Sequence, residues 1–226
     1  MTMKTIRLHP WEASSSEALR IQKELAARVS REAAIGEVRL IAGADVAAGG
    51  RGHPARAAVV VLSYPALTLV ETSTVEVPLR FPYIPGLLSF RESPVLVQAF
   101  EQLESIPDLV MVDGHGISHP RRIGIASHLG LLLDLPTIGC AKSRLVGQYE
   151  EVAPEPGSWA PLIDKDEVIG AVVRTKLGVK PVFVSIGHKV DLESAVSWVL
   201  RCCRGYRLPE PTRTAHRIAG TEDVGT

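Results

Sequence analysis

The chain has 226 residues, 46% hydrophobic and 22% charged, with 25 basic and 25 acidic side chains and a formal net charge of zero. That is enough chain for one well-buried core. It excludes a disordered or low-complexity protein, a chain built around membrane-spanning apolar runs and a disulfide-stapled domain, since Cys140, Cys202 and Cys203 are the only cysteines and two are neighbours. The opening MTMKTIRLHPWE has no apolar stretch of the secretory kind, so a reducing cytoplasm is the expected compartment.

Along the chain, serines followed by apolar residues at helical spacing predict a first helix within about residues 13–34. EVRLIAGADVAA reads as a strand ending near Asp45, and RAAVVVLSYP and LTLVETSTVEVPL as two more, joined by short connections in an antiparallel meander. LLSFRESPVLVQAFEQL has helical spacing, with Pro94 expected to break it or start a second helix. DLVMVD is a buried strand, RRIGIASHLGLLLD a helix, and PTIGCAK a short strand ending at Lys142. EVIGAVVRT and KPVFVSIG form a late strand pair, DLESAVSWVLRCC is a helix capped by Asp191, and GYRLPEPTRTAHRIAG is too proline-rich for one regular element. Three antiparallel strands followed by alternating helices and strands imply a single α/β domain, a mixed sheet with helices packed on it, spanning 1–226.

Asp45 and Asp113 each end an apolar run. If the two strands lie parallel and adjacent, the aspartates meet at one edge, where ionised carboxylates repel and lose hydration. A hard divalent cation offsets both costs, and Glu92 in SFRESP offers a third oxygen. Each acid alone also suits a turn. His115 and His119 are four apart, but Gly114, Gly116 and Pro120 make the segment a loop, which disfavours a helical zinc pair. A histidine beside a metal–phosphate site can instead handle the attacking water. FPYIPG holds Tyr83 and Ile84 between two prolines, a stiff aromatic tip suited to entering a base stack, or simply a connection packed on the core. Positive charge gathers at HPRR (119–122), at Lys142 and Arg144, and along the tail at Arg201, Arg204, Arg207, Arg213 and Arg217. It reads either as a nucleic-acid surface or as scattered solvated charge.

Taken together, IAGADV, PYIPGLLSFRE, VDGHGISHPRRIGIASHLGLLLDLPTIGCAK and GYRLPEPTR resemble the endonuclease V family of deoxyinosine-specific DNA repair nucleases, from about residue 12 to 217. The resemblance implies a ribonuclease H-like mixed sheet flanked by helices. It also implies a Mg²⁺-dependent site, with Mn²⁺ expected to substitute, that hydrolyses the second phosphodiester bond 3′ to a deaminated adenine and leaves 3′-hydroxyl and 5′-phosphate ends. By the same resemblance Asp45, Glu92 and Asp113 are metal ligands, and His119, Lys142 and His216 join them in catalysis; some members carry a different residue at the position of His216. Tyr83, Ile84 and Pro85 match a strand-separating wedge, and Gly86, Gly114, Gly124 and Ile125 a pocket for the flipped hypoxanthine. The implied partner is DNA containing deoxyinosine, bound by a monomer away from membranes, with residues 1–11 and 218–226 peripheral. Inosine-containing RNA is the rival substrate, a non-cleaving inosine or structured nucleic-acid-binding module the rival class, and a small-molecule metallohydrolase a third.

Overall fold

The computed structural model describes residues 3–48 and 54–220. Its centre is an eight-stranded mixed sheet in the order β3-β2-β1-β4-β5-β8-β7-β6. The strands are β1 (Leu40–Ala47), β2 (Ala55–Ser63), β3 (Leu69–Val77), β4 (Leu109–Val112), β5 (Thr137–Ala141), β6 (Trp159–Asp164), β7 (Glu167–Val173) and β8 (Val182–His188). The expected meander is present: β1, β2 and β3 pair antiparallel, with Asp45 opposite Ala58. β1 and β4 then pair in parallel, Ala44 opposite Val112, and β4 and β5 continue in parallel. Parallel neighbours need long crossovers. These are supplied by helix α2 (Leu88–Glu101) before β4 and α3 (Ile125–Leu133) before β5.

Strand alternation divides the core. Ala42, Ala44, Val110 and Val112 pack with Val95, Phe100 and Leu129 of α2 and α3, while Ile41, Leu109, Met111 and Ile138 turn the other way onto Ala195, Val196 and Val199 of α4 (Leu192–Arg201). A fully buried aliphatic or phenyl side chain contributes about 1.5–3 kcal/mol, so both layers are held by their apolar stripes. α1 (Ser15–Ala26) begins with a capping box between Ser14 and Glu17 and lays Ile21 and Leu25 against Phe81, Leu87 and Phe90. This is the ribonuclease H-like α/β architecture that the sequence implies. Among the described residues no helix is long and apolar enough to cross a membrane.

Four expectations about elements change. Pro94 lies inside an unbroken α2; an interior proline costs about 3 kcal/mol, offset by the burial of Phe90, Val95, Leu96, Ala99 and Phe100 around it. α3 starts at Ile125 rather than at the arginine pair. β6 was not foreseen, because Pro161 interrupts its pattern; it is an edge strand, where proline is tolerated. The proline-rich tail forms a regular helix, α5 (Glu210–Gly220), with Pro211 in the first turn, where no N–H is needed. α5 rests directly on β1: a Cβ at Gly43 would stand 1.9 Å from the Pro211 carbonyl oxygen. The N-terminal stretch expected at the periphery buries Met3, and its Ile6 N–H donates to the Leu132 carbonyl. Of the C-terminal stretch, residues 221–226 lie outside the described residues, while Ala219 is buried.

Candidate active site

The parallel register of β1 and β4 does what the two apolar runs implied: Asp45 and Asp113 leave adjacent strands at the same edge, and the Asp113 N–H donates to the Ala44 carbonyl at 3.0 Å. Gly43 admits α5 to this face, and α5 brings His216 over the pair. His216 Nδ1 stands 2.6 Å from Asp45 Oδ2 and 4.0 Å from Asp113 Oδ2. Lys142, just past the end of β5, places Nζ 2.5 Å from Asp113 Oδ2 and 3.2 Å from His216 Nδ1. Its backbone carbonyl is held by Arg207 Nη2. One nitrogen cannot donate to Asp45 and accept from Lys142 at once. The shorter contact is the one to Asp45, so Nδ1–H donates to that carboxylate.

The carboxylates are electrostatically costly as they stand. Both aspartates are nearly buried. Burial and the Asp45 charge raise the Asp113 carboxyl, with Lys142 opposing. Glu92, on α2, is pushed up to about 8 by burial and by Asp45, against the pull of Arg91. Asp113 Oδ2 is buried and makes no aligned hydrogen bond; its contact with Lys142 is an ion pair. Asp45, Asp113 and His216 each offer a ligand atom within 4.8 Å of the others. Crowded oxygen donors whose own charges disfavour ionisation fit a hard divalent cation. Glu92 approaches from the α2 layer, on the other side of the sheet from α5; it stands outside that 4.8 Å group and is coupled to both aspartates through charge.

His119 belongs elsewhere. It is 3% exposed, its Nε2–H donates to the Gly86 carbonyl at 3.0 Å, and its Nδ1 accepts from the Arg121 N–H at 3.2 Å. With both nitrogens engaged, and burial holding it down to about 4, this neutral imidazole is not free to handle a proton at the acidic cluster. The structure thus places His119 beside Gly86 and Arg121, outside the Asp45–Asp113–His216 group. His115, likewise lowered to about 4 by burial, bonds Ser118 Oγ and the Ser143 backbone.

The glycines expected to line a base pocket sit in tight surroundings. A Cβ on Gly114 would meet the Ile125 side chain at 2.5 Å, and one on Gly124 would meet the His115 backbone carbonyl at 2.2 Å, so neither position has room for a side chain as the neighbours stand. The Gly86 carbonyl is bonded by His119 and Arg121. The wedge stretch presents Tyr83 70% exposed, while Ile84 packs partly into the α1 cluster.

Much of the expected basic surface is internally engaged. Arg122 pairs with Asp164 and Glu167, Arg213 with Glu210, and Arg207 bonds the backbone carbonyls of Lys142, Lys180 and Pro181. Gln22 was not expected at the site; its Nε2 donates to the Gly86 carbonyl at 3.0 Å. Its signal was a polar residue on the buried stripe Ala18–Ile21–Gln22–Leu25 of α1.

Comparison with known proteins gives the family. The endonuclease V family model matches residues 23–217. Endonuclease V of Dehalococcoides mccartyi is 55% identical over 219 residues, covering 97% of this chain and 98% of its own. The crystal structure of endonuclease V from Streptomyces avermitilis superposes with a TM-score of 0.88 at 41% identity, over 97% of this chain and 96% of that one. Endonuclease V of Ciona intestinalis, solved in complex with a 24mer DNA containing an inosine followed by a ribo-adenosine, superposes at 0.78 with 32% identity, over 90% of this chain and 95% of that one. The chain belongs to the endonuclease V family of nucleases.

Proposed function

We propose that this protein is a Mg²⁺-dependent DNA repair endonuclease that recognises deoxyinosine and hydrolyses the second phosphodiester bond on its 3′ side, leaving 3′-hydroxyl and 5′-phosphate ends. The observation that carries the reading is the meeting of Asp45, Asp113, Lys142 and His216 at one sheet edge, in a chain whose Ciona relative was solved with inosine-containing DNA. Asp45, Glu92 and Asp113 would hold the cation, which when bound offsets charge building on the reacting phosphate. Lys142 adds a second positive charge at the same place. His216, with Nδ1–H donated to Asp45, is oriented to take a proton from water at Nε2. Gly86, Gly114, Gly124 and Ile125 would receive the extruded base through backbone groups while Tyr83, backed by Ile84 and Pro85, fills the gap it leaves. The base is bound and kept, since the chemistry is aimed at phosphate.

The test is a labelled duplex carrying one inosine, incubated with Mg²⁺ or with EDTA. The expected outcome is a Mg²⁺-dependent nick one nucleotide beyond the inosine on its 3′ side. A binding-only result in Mg²⁺ would reject the enzyme reading for DNA, and the same assay on an inosine-containing RNA would show whether ribose is the preferred sugar.

A further inference from the structure

The wedge segment is held from inside by residues that the reading above does not use. The Leu87 N–H donates to the Ile84 carbonyl at 2.9 Å, closing a turn with Pro85 second and Gly86 third. Gly86 has φ +78°, so the turn is of type II, which wants proline and glycine in those places. The Gly86 carbonyl then receives three side-chain donors: Arg121 Nη2 at 2.6 Å, Gln22 Nε2 at 3.0 Å and His119 Nε2 at 3.0 Å. Arg121 Nε also donates to Gln22 Oε1 at 2.5 Å, which closes a ring of bonds joining α1, the HPRR loop and the turn.

Two features exceed what satisfying a carbonyl requires. An oxygen with two lone pairs is served by two donors, so a third adds immobility rather than satisfaction. Among the described residues Arg121 has no carboxylate in ion-pairing range, so a half-buried guanidinium is matched only by neutral acceptors, a costly arrangement for stability alone. Arg121 Nη2 also stands 2.7 Å from where a Gly86 Cβ would be, so the bare glycine and the arginine occupy complementary space. Gln22 is 1% exposed, which fixes its end of the ring within the α1 packing. Tyr83, largely exposed, has this turn as its foundation.

We propose that Gln22 and Arg121 are positioning residues that lock the 84–87 turn, so that Tyr83 and Gly86 are already placed before nucleic acid binds and inosine is discriminated with little ordering cost. This rests on the reading of Tyr83 and Gly86 as lesion-recognising groups. His119 is the third donor of the same lock.

The test uses Gln22→Leu, Arg121→Met and Arg121→Lys in the full-length protein. Three quantities are measured: hydrogen exchange at the Leu87 amide without nucleic acid, the affinity ratio for an inosine duplex over its adenine counterpart in Ca²⁺, and Mn²⁺ affinity of the protein alone. Losing bonds of this charged network is expected to speed Leu87 exchange, and to lower the inosine preference, by about 10-fold each, while Mn²⁺ affinity stays unchanged. Arg121→Lys keeps the charge but cannot fork between Gln22 and Gly86, so it should behave like Arg121→Met. Restored preference in the lysine variant would overturn the lock in favour of charge alone, as would wild-type exchange in all three. If the unaltered protein shows no inosine preference, the functional reading falls and takes the discriminating role with it, whereas the exchange rates decide the lock independently.

Discussion

The strand-end cluster and the two glycine-bearing loops, 81–87 and 113–125, are built on opposite principles. At the ends of β1 and β4, carboxylates are crowded and nearly buried, with Asp113 raised and Glu92 at about 8. In the 81–87 and 113–125 loops, glycines leave room for a neighbouring backbone or side chain to pack close, and the hydrogen bonds close on themselves. The first region stores an unmet demand for positive charge; the second is complete before a ligand arrives. The difference teaches that an uncomfortable site suits charge-developing chemistry and a satisfied one suits shape recognition.

Substitutions that touch only one region sharpen this comparison. Beyond the acids themselves, the largest effect is expected from their cationic neighbour: Lys142→Met should lower the nicking rate by about 10²-fold without altering preference for inosine, as read from single-turnover cleavage and equilibrium binding. Gly124→Ala comes next. Its methyl would press on the His115 carbonyl, so thermal unfolding should show about 1–3 kcal/mol of destabilisation by overpacking, together with lost inosine binding; an unaffected variant would break the close-approach account of the pocket. Tyr83→Ala should weaken lesion binding by the equivalent of about 1–3 kcal/mol, the worth of one base–aromatic stack, with no change in thermal stability because the ring is mostly exposed.

The smallest effect concerns the support beneath α2. His128 is fully buried, its Nε2 2.7 Å from His9 Nε2, and burial followed by His9 lowers it to about 3. The unfolded chain takes up a proton near pH 6.5 that the folded one refuses until about 3, so stability is present above 6.5 and is lost as pH falls through that window. Urea midpoints at pH 7 and pH 5 should therefore differ less in His128→Leu than in the parent, and equal differences would contradict the assignment.

How much of this was legible beforehand follows from what each residue needs. Apart from β6, the strands and the meeting of Asp45 with Asp113 were readable, because apolar runs ending in acids and parallel pairing are local and topological signals. α5 was hidden, because prolines read as helix breakers until one sees that Pro211 falls in the first turn, and so the route by which His216 reaches Asp45 was hidden too. His119 stood in a motif beside Asp113, but its burial and its bond to the Gly86 carbonyl are tertiary facts. The arginines looked like a phosphate surface because charge is visible in sequence whereas Asp164, Glu167 and Glu210 as partners are not. Family resemblance supplied the substrate; no spacing of residues did.

The central claim is that recognition and cutting reside in separable regions. It is tested most directly with Asp45→Asn, measuring nicking in Mg²⁺ and the inosine-over-adenine binding ratio on the same preparation. The account predicts cleavage reduced by about 10³-fold or more with the binding ratio of the parent protein. Cleavage at the parent rate, or a binding ratio that collapses along with cleavage, would contradict it.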